Sequence, residues 1–232
     1  MIYLTGDTHG YFEKVEAFCE MYETTEEDIL IILGDAGINY YLDQRDRTLK
    51  ESLYQMPITL LCIHGNHEER PEESNGDYEE KTWHEGKVYY EEEYPNLLFA
   101  IDGEIYDFDG KKAIAIGGAY SIDKFFRLEN NELWFPSEQP NALIKDKVEK
   151  KLESVNWKVD YVLSHTGPLR YLPEYAFSDN IDESTIDKST EKWLSKIEKK
   201  LDYENWYFGH FHIDSDVGKA FILYEEIVEL GE

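Results

Sequence analysis

The sequence predicts an α/β fold with a largely parallel sheet that carries polar residues where its strands end. Short apolar segments alternate with segments whose apolar residues recur at helical spacing. Several of the apolar segments end in Gly, Asp, Asn or His. Such alternation is typical of βαβ units. We find no internal repeat and no linker-like tract, so residues 1–232 are expected to form a single domain.

The first 65 residues contain three predicted strands and two predicted helices. The strands are expected at residues 2–4, 28–33 and 58–63, and the helices at 11–22 and 44–54. The second and third strands are almost wholly apolar, which is typical of strands buried on both faces.

The pattern changes after residue 87. Residues 68–87 are polar and acidic and are predicted to form a loop. Short β-type segments then follow, separated by turns such as Asp109-Gly110. They lie at 88–90, 97–101, 104–108 and 113–116, and the last two are expected to pair as a hairpin in a second, hairpin-rich sheet.

The remaining chain again alternates helices and strands. Helices are expected around Val148 and at 184–200, and strands at 161–163, 206–208, 220–224 and 227–230. The segments 118–136 and 166–182 are predicted loops.

Composition excludes several classes of partner. The chain has 50 acidic and 23 basic residues and a formal charge of −27. This charge repels polyanions, so long nucleic acids and anionic membranes are not expected partners. Two isolated cysteines do not form a disulfide framework, and no signal peptide or membrane span is apparent. We therefore predict a cytoplasmic protein.

Five predicted strands end in residues that can bind metal. These are Asp7-Thr8-His9, Asp35, Asn66-His67, His165 and His210-Phe211-His212, and they contain five of the seven histidines. Because ligands bind at the carboxyl ends of strands in open α/β sheets, these residues are expected to converge.

Imidazole, carboxylate and amide oxygen together form the ligand set of divalent metals such as Mn, Fe, Zn or Ni. The absence of a cysteine set disfavours a structural zinc site. So many ligands in one cleft suggest two cations, about 3.5–4 Å apart. Asp35, at the end of the most apolar strand, is expected to bridge them. Two cations would also allow so acidic a protein to bind a phosphate.

These motifs resemble the signature of the calcineurin-like metallophosphoesterase family, D-x-H, G-D, G-N-H-E, H and G-H-x-H, in order over residues 5–213. The loop 117–127 resembles that of compact bacterial or phage-type members of the family. The resemblance implies two mixed β-sheets packed face to face and flanked by helices, a four-layer αββα arrangement. It also implies two divalent metal ions, with Mn favoured and Fe, Zn or Ni as alternatives. One ion would be bound by Asp7, His9, Asp35 and His212, and the other by Asp35, Asn66, His165 and His210.

The chain differs from the Ser/Thr phosphatases of this family. Those enzymes continue the second block as G-D-x-x-D-R-G, whereas this chain has Gly34-Asp35-Ala36-Gly37-Ile38-Asn39-Tyr40. Protein phosphatase activity is therefore not favoured. The loop 117–127 is a candidate replacement because it contains Lys124 and Arg127. The competing interpretation of Arg127 is a surface salt bridge with one of the many acids.

We therefore predict a phosphoesterase, with a phosphomonoester as the favoured substrate. A water that bridges both metals would be deprotonated and attack phosphorus in line. Asn66 would help to neutralise the phosphoryl oxygens, and His67, which the resemblance places off the metals, would protonate the leaving group. Arg127 would bind a non-bridging oxygen. The alternatives are a phosphodiesterase for cyclic or small nucleotides, a nuclease, and a non-catalytic scaffold, although scaffolds usually lose ligands and none is lost here.

Overall fold

The computed structural model of the protein describes residues 1–173 and 185–231. Its helices are α1 (Glu13–Tyr22), α2 (Gln44–Tyr54), α3 (Lys124–Asn130), α4 (Ala142–Ser154) and α5 (Ser189–Glu198). Its strands are β1 (Ile2–Thr5), β2 (Ile29–Ile32), β3 (Thr59–Cys62), β4 (Glu79–Trp83), β5 (Gly86–Tyr90), β6 (Leu97–Ala100), β7 (Ile105–Phe108), β8 (Lys111–Ile116), β9 (Tyr161–Ser164), β10 (Asn205–Phe208), β11 (Ser215–Val217), β12 (Ala220–Ile222) and β13 (Val228–Glu229). Residues 174–182 of the predicted loop 166–182, and the first residue of the predicted helix 184–200, lie outside the described residues.

The strands form two mixed sheets. Within the described residues, the first sheet has seven strands in the order β13-β1-β2-β3-β6-β5-β4, and the second has six in the order β11-β12-β10-β9-β8-β7. In the first sheet β1, β2, β3 and β6 are parallel, and in the second β8, β9, β10 and β12 are parallel. The outer strands pair antiparallel to them. The predicted α/β fold with two mixed sheets is confirmed.

Successive residues of each central strand enter different apolar layers, because strand side chains alternate between the two faces. In β2, Ile29 and Ile31 pack between the sheets, whereas Leu30 and Ile32 pack beneath α1 and α2. On the outer face of the second sheet, α4 and α5 supply a third apolar layer. The result is a helix–sheet–sheet–helix arrangement in which the central parallel strands have both faces buried.

Removing one methyl group from the layer between the sheets should destabilise the protein. Ile31 is fully buried there, and Ile31→Val should lower the free energy of unfolding by about 0.5–1.5 kcal/mol. The matched control Ile122→Val changes a side chain that is 45% exposed, and a shift within about 0.5 kcal/mol is expected. Urea denaturation of both variants measures the difference, and equal losses would contradict the assignment of this layer.

The structure corrects three details of the sequence-based prediction. The predicted loop 68–87 contains β4, an edge strand whose residues are mostly exposed and charged, so it lacks an apolar pattern. The second sheet begins with β7, because β6 pairs in parallel with β3 and β5 pairs with β6, which places both in the first sheet. The predicted loop 118–136 contains α3, which buries none of its residues and therefore shows no apolar stripe.

Among the helices of residues 1–173 and 185–231, none combines the length and the apolar character that a membrane span requires. The cytoplasmic location stays a prediction.

Candidate metal centre

The structure brings the five polar strand ends to one edge of the sandwich. Each group follows its strand by a few residues, after β1, β2, β3, β9 and β10. Nε2 of His9 lies 2.9 Å from Nε2 of His212, and Nε2 of His165 lies 2.7 Å from Oδ1 of Asn66. Residues that are far apart in the chain are thus neighbours in space, as the strand-end argument predicts.

The turns that produce this convergence use unusual backbone conformations. His9, Asp35, His210 and His212 all have φ between +47° and +68°, a region that non-glycine residues rarely occupy. The backbone carbonyl of Asp35 accepts hydrogen bonds from the amides of Thr8 (3.2 Å) and His9 (2.8 Å). These bonds join the motif after β1 to the motif after β2. Strained backbone of this kind concentrates at functional sites.

Two glycines leave room for the carboxylates. A Cβ on Gly65 would lie 2.0 Å from Oδ1 of Asp35, and a Cβ on Gly209 would lie 2.4 Å from Oδ1 of Asp7. A larger residue at either position would push a carboxylate out of the cluster.

One candidate ligand group consists of Asp7, His9 and His212. Oδ2 of Asp7 lies 3.2 Å from Nε2 of His212 and 3.7 Å from Nε2 of His9. Two nitrogens that bind one ion at about 2.1 Å and subtend a right angle lie about 3.0 Å apart, close to the His9–His212 separation. The ring of Tyr224 stacks on His212 at 4.7 Å and fixes its orientation.

The second group contains Asp7, Asp35 and His165, with Asn66 beside them. Nδ1 of His165 donates to the carbonyl of Leu33 at 2.8 Å, so in the neutral ring Nε2 carries the lone pair. Nδ2 of Asn66 donates to the hydroxyl of Ser121 at 3.0 Å, so Oδ1 faces His165. Two acceptors therefore face each other at 2.7 Å, and a proton or a cation must lie between them.

Both aspartates are almost completely buried, with relative exposures of 2% for Asp7 and 1% for Asp35. Burial alone would raise the pKa of Asp7, but the hydrogen bond with His212 and the nearby imidazoles lower it overall. Burial likewise opposes ionisation of Asp35, yet His165 and His67 lower its pKa. Two buried carboxylates with oxygens within 4.8 Å of each other repel strongly unless cations lie between them.

The two groups share Asp7, whereas the sequence led us to expect Asp35 as the shared ligand. Asp35 uses Oδ1 to accept the amide of His67 at 2.8 Å, and Oδ2 faces Nε2 of His165 at 3.7 Å. Its role as the bridge stays a prediction.

His210 lies beside His165 and Asp7 and is half-buried. Its ring centre is 5.0 Å from that of His165, and its amide donates to Oδ1 of Asp7 at 2.7 Å. Burial, with a smaller contribution from His165, lowers the pKa of His210 to about 3. The ring is therefore neutral at pH 7, as a metal-binding imidazole must be.

His67 belongs to neither group among the described residues. Its ring centre lies 5.7 Å from that of His9, at the edge of the cluster. Burial lowers the pKa of His67, the carboxylate of Asp35 opposes this effect, and the guanidinium of Arg127 adds to it. The role of His67 as a proton donor that does not bind metal stays a prediction.

Arg127 lies in α3 and forms the ion pair that the competing interpretation anticipates. Its Nε donates to Oδ2 of Asp123 at 2.6 Å, and its Nη1 donates to the hydroxyl of Tyr40 at 2.8 Å. The charge of Arg127 nevertheless lowers the pKa of His67. The role of Arg127 in substrate binding stays a prediction.

Several residues that hold the loop around Gly117 and Ser121 carry no signal in the sequence. Glu138 accepts the amide of Ser121 (3.2 Å) and Nε1 of Trp134 (2.7 Å). Arg70 and Asp102 form a buried ion pair at 2.5 Å, and Asp102 also accepts the amide of Gly117. No local pattern marks these residues, since Glu138 follows a Ser and Asp102 begins an ordinary Asp-Gly turn.

The fold and the cluster define an α/β sandwich with a candidate metal-binding site, in which carboxylates and imidazoles meet at the strand ends. The family model for calcineurin-like phosphoesterases matches residues 1–214, and the chain belongs to that family. Membership implies divalent metals and metal-dependent hydrolysis of phosphate esters.

A solved structure of similar fold supports this architecture. One crystal structure is similar over 96% of this chain and 88% of its own, with 14% identity and a TM-score of 0.53. The crystal structure of the phosphopantetheinyl hydrolase PptH from Mycobacterium tuberculosis is similar over 96% of this chain and 87% of its own, with 11% identity and a TM-score of 0.46. The search of curated proteins found no match.

Proposed function

We propose that the protein is a phosphomonoesterase that uses two divalent cations, with manganese as the favoured metal. The observation that carries this proposal is the facing pair of acceptors, Nε2 of His165 and Oδ1 of Asn66, beside two buried carboxylates. This arrangement needs positive charge, and the ligand set suits divalent metals. Asp7, His9 and His212 would bind one ion; Asn66, His165 and His210 would bind the other; Asp35 would bind both.

The bound cations would supply Lewis acidity toward the phosphoryl oxygens and lower the pKa of a water molecule. The protein's own residues then perform the remaining tasks. The amide of Asn66 is held by Ser121 and would lie beside a phosphoryl oxygen. His67 would donate its proton to the departing alcohol, because a bound phosphate favours the protonated ring. Arg127 would bind a non-bridging oxygen of the phosphoryl group.

The test of this proposal compares two esters with the manganese-loaded protein. We expect p-nitrophenyl phosphate to be hydrolysed with a higher kcat/KM than bis(p-nitrophenyl) phosphate. A preference for the bis-ester would replace the proposal by the phosphodiesterase alternative. Failure to hydrolyse either ester, with metal bound, would favour the non-catalytic scaffold.

Removing the hydroxyl of Ser121 should weaken metal binding. Ser121 is 1% exposed and accepts the Nδ2 proton of Asn66, so Ser121→Ala leaves the amide free to rotate. Loss of such a supporting partner typically lowers metal affinity by about 10- to 100-fold. Competition with a chelator measures the change. Ser189→Ala, in α5, is the matched control and should keep the wild-type affinity; a wild-type affinity in Ser121→Ala would contradict this role.

A further inference from the structure

Four large apolar side chains lie exposed within seven residues of chain. Ile122 is 45% exposed, Phe125 and Phe126 are each 59% exposed, and Leu128 is 49% exposed. We call these four residues the apolar rim. Scattered exposed apolar residues are ordinary, but neighbouring ones mark a surface that another molecule covers. The helix that carries three of them, α3, buries none of its own residues.

Specific contacts fix this segment to the protein. Arg127 binds Asp123 and the hydroxyl of Tyr40. The ammonium group of Lys124 lies 4.0 Å from the ring centre of Trp134, within the range of a cation–π contact. The polar side chains of α3 thus anchor the helix, while its apolar side chains remain exposed.

The apolar rim adjoins the candidate metal centre. Ser121, the residue before Ile122, accepts a hydrogen bond from Asn66 at 3.0 Å. Arg127, the residue after Phe126, carries a charge that lowers the pKa of His67, and the charge of Asp123 raises it. The segment that carries the apolar rim is therefore linked to the candidate centre at two points, Ser121 and Arg127.

The charges of the chain restrict what the rim can bind. With 50 acidic and 23 basic residues, the protein repels ligands with many negative charges. A single phosphoryl group neutralised by cations avoids this repulsion. If the rest of such an ester is apolar, it would cover the apolar rim and lower the free-energy cost of exposing these side chains to water.

We infer that the apolar rim binds the alcohol part of the substrate, and that the substrate is a phosphate monoester of an apolar alcohol. This inference rests on the proposed function and specifies its substrate class. Contacts with the alcohol far from phosphorus should be the same in the ground state and the transition state. They should therefore lower KM and leave kcat little changed.

A series of n-alkyl phosphates tests the inference, because ethyl, butyl, hexyl and octyl phosphate have leaving groups of similar basicity. With the manganese-loaded protein, kcat/KM should rise by about two- to fourfold per added methylene until the rim is covered, mainly through KM. The single variants Ile122→Ser and Phe126→Ser should each reduce the hexyl-to-ethyl ratio of kcat/KM by about three- to tenfold.

Met21→Ser is the matched control. Met21 is 75% exposed and lies in the last turn of α1, which leads into the start of β2 at the opposite edge of the sheet from the metal centre. This variant should keep the wild-type ratio.

The outcomes separate the inference from the proposed function. If p-nitrophenyl phosphate is hydrolysed but kcat/KM does not depend on chain length, the inference is wrong and the phosphomonoesterase stands. If no monoester is hydrolysed, both are wrong. If sedimentation velocity shows a dimer that Phe126→Ser dissociates, and the chain-length dependence is flat, the rim is a subunit interface and the inference is overturned.

Discussion

Asp35→Asn should remove bound metal and phosphatase activity together. Asp35 is 1% exposed, and its Oδ2 faces Nε2 of His165 at 3.7 Å. Asparagine has no charge to offset two cations, and the transition-state stabilisation that metals supply is worth several kcal/mol. Activity toward p-nitrophenyl phosphate should therefore fall on the order of 10³-fold or more.

The fold should survive this substitution. Oδ1 of Asp35 accepts the amide of His67 at 2.8 Å, and an asparagine carbonyl can accept the same bond. Asp109→Asn is the matched control, because Asp109 is exposed in the turn between β7 and β8 and also has a positive φ of 54°. Elemental analysis and the phosphatase assay should find wild-type values for the control. A fully metal-loaded, inactive Asp35→Asn protein would contradict the role of Asp35 as a ligand.

His67→Ala should keep both metals and lose turnover. The ring of His67 belongs to neither ligand group of the described residues, so removing it should leave the metal content unchanged. Loss of a proton donor typically reduces kcat by roughly 10²–10⁴-fold. The loss should be smaller for p-nitrophenyl phosphate than for an alkyl phosphate, because p-nitrophenolate is a good leaving group and needs less protonation.

The dependence of the activity loss on the leaving group distinguishes a missing proton donor from a disturbed site. A variant that merely disturbs the site would lose activity toward both substrates equally. His84→Ala is the matched control, since His84 is exposed and contacts the carbonyl of Asp107, outside the metal centre. Loss of metal from His67→Ala would show that His67 is a ligand instead.

The parts of the fold that the sequence predicts are those in which burial imposes a periodic pattern. The helix at 44–54 is found as α2 with the same limits, and the apolar segment 28–33 contains β2. β4 and α3 escaped prediction because they lie at an edge and on the surface, where charged or exposed residues carry no periodic signal.

The candidate ligands were accessible from sequence because strand ends share one sheet edge. The residues that orient them were not. Leu33 acts through its backbone carbonyl, which any residue would supply, and Glu138 reaches Ser121 only through the tertiary fold. Tyr224 stacks on His212 from a segment near the C-terminal strands. Contacts of this kind are set by packing between distant segments and leave no spacing rule in the sequence.

Anomalous scattering from crystals of the manganese-loaded protein tests most directly whether two cations lie within this cluster. We predict two peaks about 3.5–4 Å apart, one beside Asp7, His9 and His212 and the other beside Asn66, His165 and His210, with Asp35 contacting both. A single peak, or peaks remote from Asp35, would contradict the two-metal account.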